Sequence, residues 1–159
     1  MRLREAILAD LPRLEREAKS LGRINIQDGT KGGRRGSTAP RWIGVNGDIY
    51  EAIRYATAAS PPGSRNLLGK NETYLGFNKR EVRLARSILK ANGLNGFHEL
   101  RASYACERYS QITHHHAAIN GGCCHLVAPL LDREARIVVS YELGHGRLDV
   151  VSAYLGGRT

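Results

Sequence analysis

The chain has 159 residues, 42% of them hydrophobic, and carries 24 Lys+Arg against 15 Asp+Glu for a formal net charge of +9. That length is enough for one domain with a real core, and a basic balance of this size favours a polyanionic partner, nucleic acid first, over a merely solvated basic surface. No apolar run approaches a membrane span, the charged start Met1-Arg-Leu-Arg-Glu-Ala-Ile-Leu is no signal peptide, and Cys106, Cys123 and Cys124 form no disulfide framework, so a cytoplasmic protein is expected.

Residues 2–20 are rich in Leu, Ala, Glu and Arg and read as helix, interrupted near Pro12. A new helix is expected there, with Asp10 as its cap and Pro12 in its first turn. Arg23 to Gln27 alternates apolar and polar and predicts a strand, and Arg41 to Val45 predicts a second. Between them, Asp28-Gly-Thr-Lys-Gly-Gly-Arg-Arg-Gly-Ser is turn-rich and basic, so the two strands form a β-hairpin with a basic tip. Asp48 to Ala59 predicts a helix ending before Pro61, and Ser60 to Tyr74 a loop. Asn78 to Ala91 predicts a basic amphipathic helix whose apolar stripe is Val82, Leu84, Ala85, Ile88 and Leu89, with Gly93 just past its end. His98 to about Ser110 reads as helix, residues 113–130 as an exposed inserted loop, Arg133 to Glu142 as helix, and Val150 to Leu155 as a short closing helix. The order is α+β with helix dominant.

Phosphodiester transfer needs a nucleophile that can hold a covalent intermediate. It also needs cationic donors at the non-bridging oxygens and a proton donor for the leaving oxygen. His98 and Arg101 lie three apart on a predicted helix and share a face, and arginine can hold two phosphate oxygens at once. By itself a His-x-x-Arg pair is a common surface accident. Here Ala-Ser-Tyr-Ala-Cys follows, small residues that let the helix pack closely. Glu142-Leu-Gly-His145 places a histidine in a turn, and Tyr154 follows nine positions later. With seven tyrosines in the chain, Tyr154 taken alone would be a core residue. Lys31 sits at the hairpin tip between glycines that allow close backbone approach to a ligand, and Arg34 and Arg35 read as contacts to a DNA backbone.

Taken together these motifs resemble the catalytic domain of tyrosine recombinases, the integrases that cut and rejoin DNA through a 3′-phosphotyrosyl link. The resemblance covers nearly the whole chain. It is nearest the integrases of genomic islands and integrative conjugative elements, with Asp-Gly-Thr-Lys-Gly-Gly in the hairpin and Leu-Arg-Ala-x-Tyr-Ala-Cys-Glu-Arg-Tyr after the histidine. It implies a tyrosine-recombinase-like fold and site-specific recombination without metal or nucleotide cofactor. Tyr154 becomes the nucleophile, Lys31 the proton donor to the leaving hydroxyl, and His98, Arg101 and His145 the groups around the phosphate. The family's Arg-x-x-Glu clamp is matched by Arg2 and Glu5, better at Arg2 than at Arg4. The partner implied is double-stranded DNA at attachment sites, with a homo-tetramer on DNA in the complete protein. The chain, taken as residues 1–159 of one catalytic domain, begins with that domain already under way and without the family's core-binding domain. Arg2 is therefore expected on a fraying end, with weak DNA binding and poor recombination.

Two other readings compete. One is a catalytically inactive remnant that is only a basic DNA-binding module. The other is a metal-binding protein built on His114-His-His and Cys123-Cys-His125, although adjacent ligands are poorly spaced for one tetrahedral site. Gly63 to Asn71 fails as a phosphate-binding loop, having one residue too many and Asn71 where Ser or Thr is needed.

Overall fold

A computed structural model describes residues 1–30 and 40–157, so Lys31, Arg34 and Arg35 lie outside the described residues. The protein is helix-dominant α+β, 63% helical with a small antiparallel sheet. It divides into two compact units, Met1–Ile88 and Leu89–Thr159. No described helix is long and apolar enough to cross a membrane.

The first unit opens with α1 (Leu3–Leu8) and α2 (Leu11–Leu21). They part where the sequence predicts: Asp10 caps α2 by accepting from the Arg13 N–H at 3.1 Å, and Pro12 stands in the first turn, where its missing donor costs nothing. Gly22, in the left-handed region at φ 61°, ends α2. Strands β1 (Arg23–Asn25) and β2 (Trp42–Gly44) then pair antiparallel with Ile24 opposite Ile43. Both isoleucines are buried, with Ile7, Leu11, Leu14, Ala18, Ile26 and Ile53 of α3 (Gly47–Ala59). Side chains of α2 serve the outer edge of β1. Glu17 accepts the Asn25 N–H at 2.8 Å, and Arg13 donates to the Asn25 carbonyl at 3.0 Å.

The base of the hairpin loop is tied to the helices. Asp28 accepts from Arg13 at 3.0 Å and from the Asp10 N–H at 3.2 Å. Gly29 has φ +66°, and a Cβ there would stand 2.7 Å from the Arg4 carbonyl oxygen, so the turn fits against α1 only as glycine.

The helix predicted over Asn78–Ala91 is broader and less regular: α4 (Tyr74–Phe77), a π-helical turn (Asn78–Val82) and α5 (Arg83–Ala91). Its predicted apolar stripe needs correction. Val82 is buried, but Leu84 and Ile88 are 59% and 57% exposed. At 100° per residue Val82, Ala85 and Leu89 form one row and Leu84 and Ile88 another, and only the first is turned inward.

The second unit packs α6 (Phe97–Thr113), α7 (Pro129–Leu143) and α8 (Leu148–Leu155) around Ala105, Cys106, Tyr109, Ala135, Val139, Leu143, Val151 and Leu155. The segment 113–130 is only partly an exposed loop. It holds two 3₁₀ turns, Ala118–Asn120 and Cys124–Leu126, and buries Ala117 and Val127 to 1% and 2% exposure.

Replacing Gly29 with Ala is expected to destabilise the protein by about 1–3 kcal/mol, because a side chain is strained at that φ and meets backbone rather than a movable side chain. Urea denaturation checks it. An unchanged midpoint would show that the turn is not held against α1.

Candidate active site

Helix α6 carries the His98–Arg101 pair on one face, three residues apart. Helix α7 ends at Leu143 because Gly144 takes the left-handed conformation at φ 70°. The Gly144 N–H then donates to the Tyr141 carbonyl at 2.8 Å, and the His145 N–H reaches back to the Ser140 carbonyl at 3.0 Å. This is a Schellman turn, and it gives the Leu-Gly-His motif its local cause: the glycine reverses the chain and the turn aims His145 back toward α6.

A helix end leaves carbonyls without intrahelical donors. The Leu143 carbonyl is one, and Arg101 Nη2 donates to it at 2.5 Å. The same nitrogen lies 3.0 Å from His145 Nε2. A guanidinium has no acceptor, so in this contact Arg101 can only donate and Nε2 only accept. The other terminal nitrogen of Arg101, Nη1, is buried and has no hydrogen-bond partner among the described residues.

Helix α8 brings Tyr154 to this group. Its ring centroid is 5.1 Å from that of His98 and 5.6 Å from that of His145. The guanidinium carbon of Arg101 lies 6.0 Å from the centre of the same ring. Four of the predicted site residues, His98, Arg101, His145 and Tyr154, therefore meet in one place within the second unit. His98 is exposed, Arg101 and His145 are half-buried, and Tyr154 is 5% exposed.

Arg2 belongs to the first unit. It is the N-cap of α1 and is tied down more firmly than a fraying end: its N–H donates to Glu5 Oε2 at 2.6 Å and its Nη1 to Glu5 Oε1 at 3.0 Å. Glu5 is fully buried, and Arg41 also donates to its Oε2, at 2.7 Å. Burial works to raise the Glu5 pKa, but hydrogen bonds from Arg41 and Arg2 outweigh it and hold the carboxyl below its ordinary range.

Sequence reasoning missed Arg41, and it missed a brace beneath the second-unit group. Tyr104 and Arg108 share a face of α6 with Arg101, at three and seven residues' spacing, and both reach buried Glu142 at the end of α7. Tyr104 Oη donates to Glu142 at 2.8 Å, and Arg108 Nε lies 3.1 Å from both Glu142 oxygens. The brace fixes the register of α6 on α7 that brings Arg101 to Leu143. The spacing on α6 was there to be read, but the acceptor 38 positions from Tyr104 was not. Burial, then the bond to Glu142, push the Tyr104 phenol well above the ordinary tyrosine range.

Among the described residues no group of three or more His, Cys, Asp or Glu side chains is arranged to hold a metal ion. Comparison with family models, with curated proteins and with solved structures found no match.

Tyr104→Phe is expected to cost about 1–2 kcal/mol at neutral pH, because Glu142 loses a donor in a buried setting. A phenol whose folded pKa is raised contributes fully below its unfolded value of about 10, and the contribution is lost as pH rises toward the folded value. The gap between wild type and variant should therefore narrow above about pH 10. Urea titrations across that range measure it, and a constant gap would count against the bond.

Proposed function

We propose that the protein is a DNA strand transferase of the tyrosine recombinase type, acting on double-stranded DNA at specific attachment sites. The convergence of Tyr154, Arg101, His98 and His145, drawn from α6, the α7 turn and α8, is the observation that carries this reading. In the proposed reaction the Tyr154 phenol oxygen attacks phosphorus and gives up its proton to a neighbouring histidine. The bond from phosphorus to the 5′ oxygen breaks, and that oxygen takes a proton, supplied by Lys31. The 3′-phosphotyrosyl link then reacts with a second 5′-hydroxyl to rejoin the strand. Arg101 supplies charge to the non-bridging oxygens, and its unpartnered Nη1 is a donor such an oxygen would satisfy. Arg2, ordered by Glu5, is the second proposed clamp. No step calls for a metal or nucleotide. The protein would act in the cytoplasm as a homo-tetramer on paired sites.

A row of cations supports the DNA partner. Lys79, Arg83 and Arg86 follow at four and three residues' spacing, all exposed, and have no ion-pair partner among the described residues. Neighbouring Arg80, by contrast, is paired with Glu72 and Glu81. Unneutralised charge repeated along one helix face suits a phosphate backbone. With Arg34 and Arg35, these residues are the proposed DNA contacts.

A second reading, a DNA-binding module without catalysis, is favoured by the burial of Tyr154. A duplex phosphate has to reach the hydroxyl of a residue that is 5% exposed.

One experiment separates the two. Nicked duplexes with a randomised centre are incubated with the protein, and covalent complexes are sought after denaturation. An adduct that disappears in Tyr154→Phe supports transfer by this residue. An adduct that survives the change removes Tyr154 from the role, and DNA binding with no adduct leaves the module reading. In a separate measurement, changing Lys79, Arg83 and Arg86 together to Gln should reduce the slope of log affinity against log salt by about 2–3. An unchanged slope would take Lys79, Arg83 and Arg86 off the DNA.

A further inference from the structure

Between α6 and α7 lies a buried polar group that the proposed reaction does not use. Asp132 and Arg136 are one helical turn apart on α7, and Arg136 Nε lies 3.1 Å and 3.0 Å from the two Asp132 oxygens. Tyr109 of α6 donates its hydroxyl to Asp132 Oδ1 at 2.7 Å. The Arg136 guanidinium carbon lies 5.9 Å from the centre of the Tyr109 ring. Tyr109, Asp132 and Arg136 are 2%, 3% and 8% exposed. Arg136 Nη1 leaves this group and donates to the carbonyl of Gly156 at 3.0 Å.

Gly156 is the C-cap of α8, two residues after Tyr154. A second side chain grips the same end: the Cys106 thiol donates to the Tyr154 carbonyl at 3.3 Å. An eight-residue helix does not hold its own conformation in water, so the direction of α8 is set by what it is tied to. Three apolar side chains of similar volume would hold α6 on α7 as well as a buried ion pair does, or better. They could not donate to a carbonyl at the end of α8.

We propose that Arg136, oriented by Asp132 and Tyr109, is a positioning residue for Tyr154: by fixing the end of α8 it sets the phenol against His98, Arg101 and His145. The catalytic consequence rests on the reading of Tyr154 as nucleophile. The positioning itself does not.

The test uses the full chain labelled with 3-fluorotyrosine, the Tyr154 resonance being assigned by its loss in Tyr154→Phe. Arg136→Met removes both contacts, and Arg136→Lys keeps a charge at Asp132 but loses the fork that spans Asp132 and Gly156. In either folded variant the Tyr154 resonance is expected to shift or broaden while those of Tyr50 and Tyr55 stay in place. The single-turnover rate of adduct formation should fall at least tenfold, with DNA affinity within twofold of wild type. Should Arg136→Met not fold, Arg136→Lys and Tyr109→Phe carry the same expectation. A lowered melting temperature with the Tyr154 resonance and the cleavage rate unmoved would make Arg136 merely structural and overturn the proposal. If wild type forms no adduct, the recombinase reading fails by itself, and the fluorine spectra still decide whether Arg136 positions Tyr154.

Discussion

The carbonyl of Leu143 is the point on which Arg101 and His145 are organised. It is available because α7 stops there, and α7 stops there because Gly144 can adopt a positive φ. Arg101 is drawn to that carbonyl, and the turn places His145 against the same guanidinium nitrogen. The Glu142 brace, one residue earlier, fixes how α6 slides along α7. Each of these contacts costs desolvation, and each is repaid only if the others are in place, as in any buried polar network. The site is thus a by-product of how a helix is terminated.

In the first unit a carboxylate plays the corresponding part. Glu5 is fully buried between two arginines, one on its own helix and one just ahead of β2. An unpaired buried carboxylate would be strongly unfavourable, so Glu5 draws Arg2 and Arg41 together and joins α1 to the far side of the hairpin. On the near side of the hairpin Asp28 is bonded to Asp10 and Arg13 of α2, and Gly29 lies against the Arg4 carbonyl of α1.

What was legible in the sequence was what local chemistry decides. Asp10 and Pro12 mark the start of α2 by capping rules that need no tertiary partner, and the alternation around Ile24 and Ile43 marks the hairpin. The His98–Arg101 spacing and the Leu-Gly-His turn could be read because each is confined to one helical turn or one cap. Leu84 and Ile88 are exposed against expectation because the apolar residues of this segment span a wide arc, and periodicity cannot say which half is turned inward. Ala117 and Val127 are isolated apolar residues in a polar stretch and produce no periodic signal, so their burial was invisible. Asp132 and Arg136 stand at i,i+4 spacing on α7, but Glu142 finds its partners on α6, and no spacing rule connects Tyr104 to a residue 38 positions away.

The attachment of Arg13 and Glu17 to Asn25 has a consequence for how copies of this chain meet. A two-stranded sheet has two open edges, and an open edge is a template on which a foreign strand can pair. Here one α2 side chain occupies the N–H and another the carbonyl of the same β1 residue. An incoming strand would have to displace a charged pair to gain two backbone bonds. At that edge β1 is closed to growth, and the protein is guarded there against strand exchange and aggregation by the same helix that buries its first hydrophobic row.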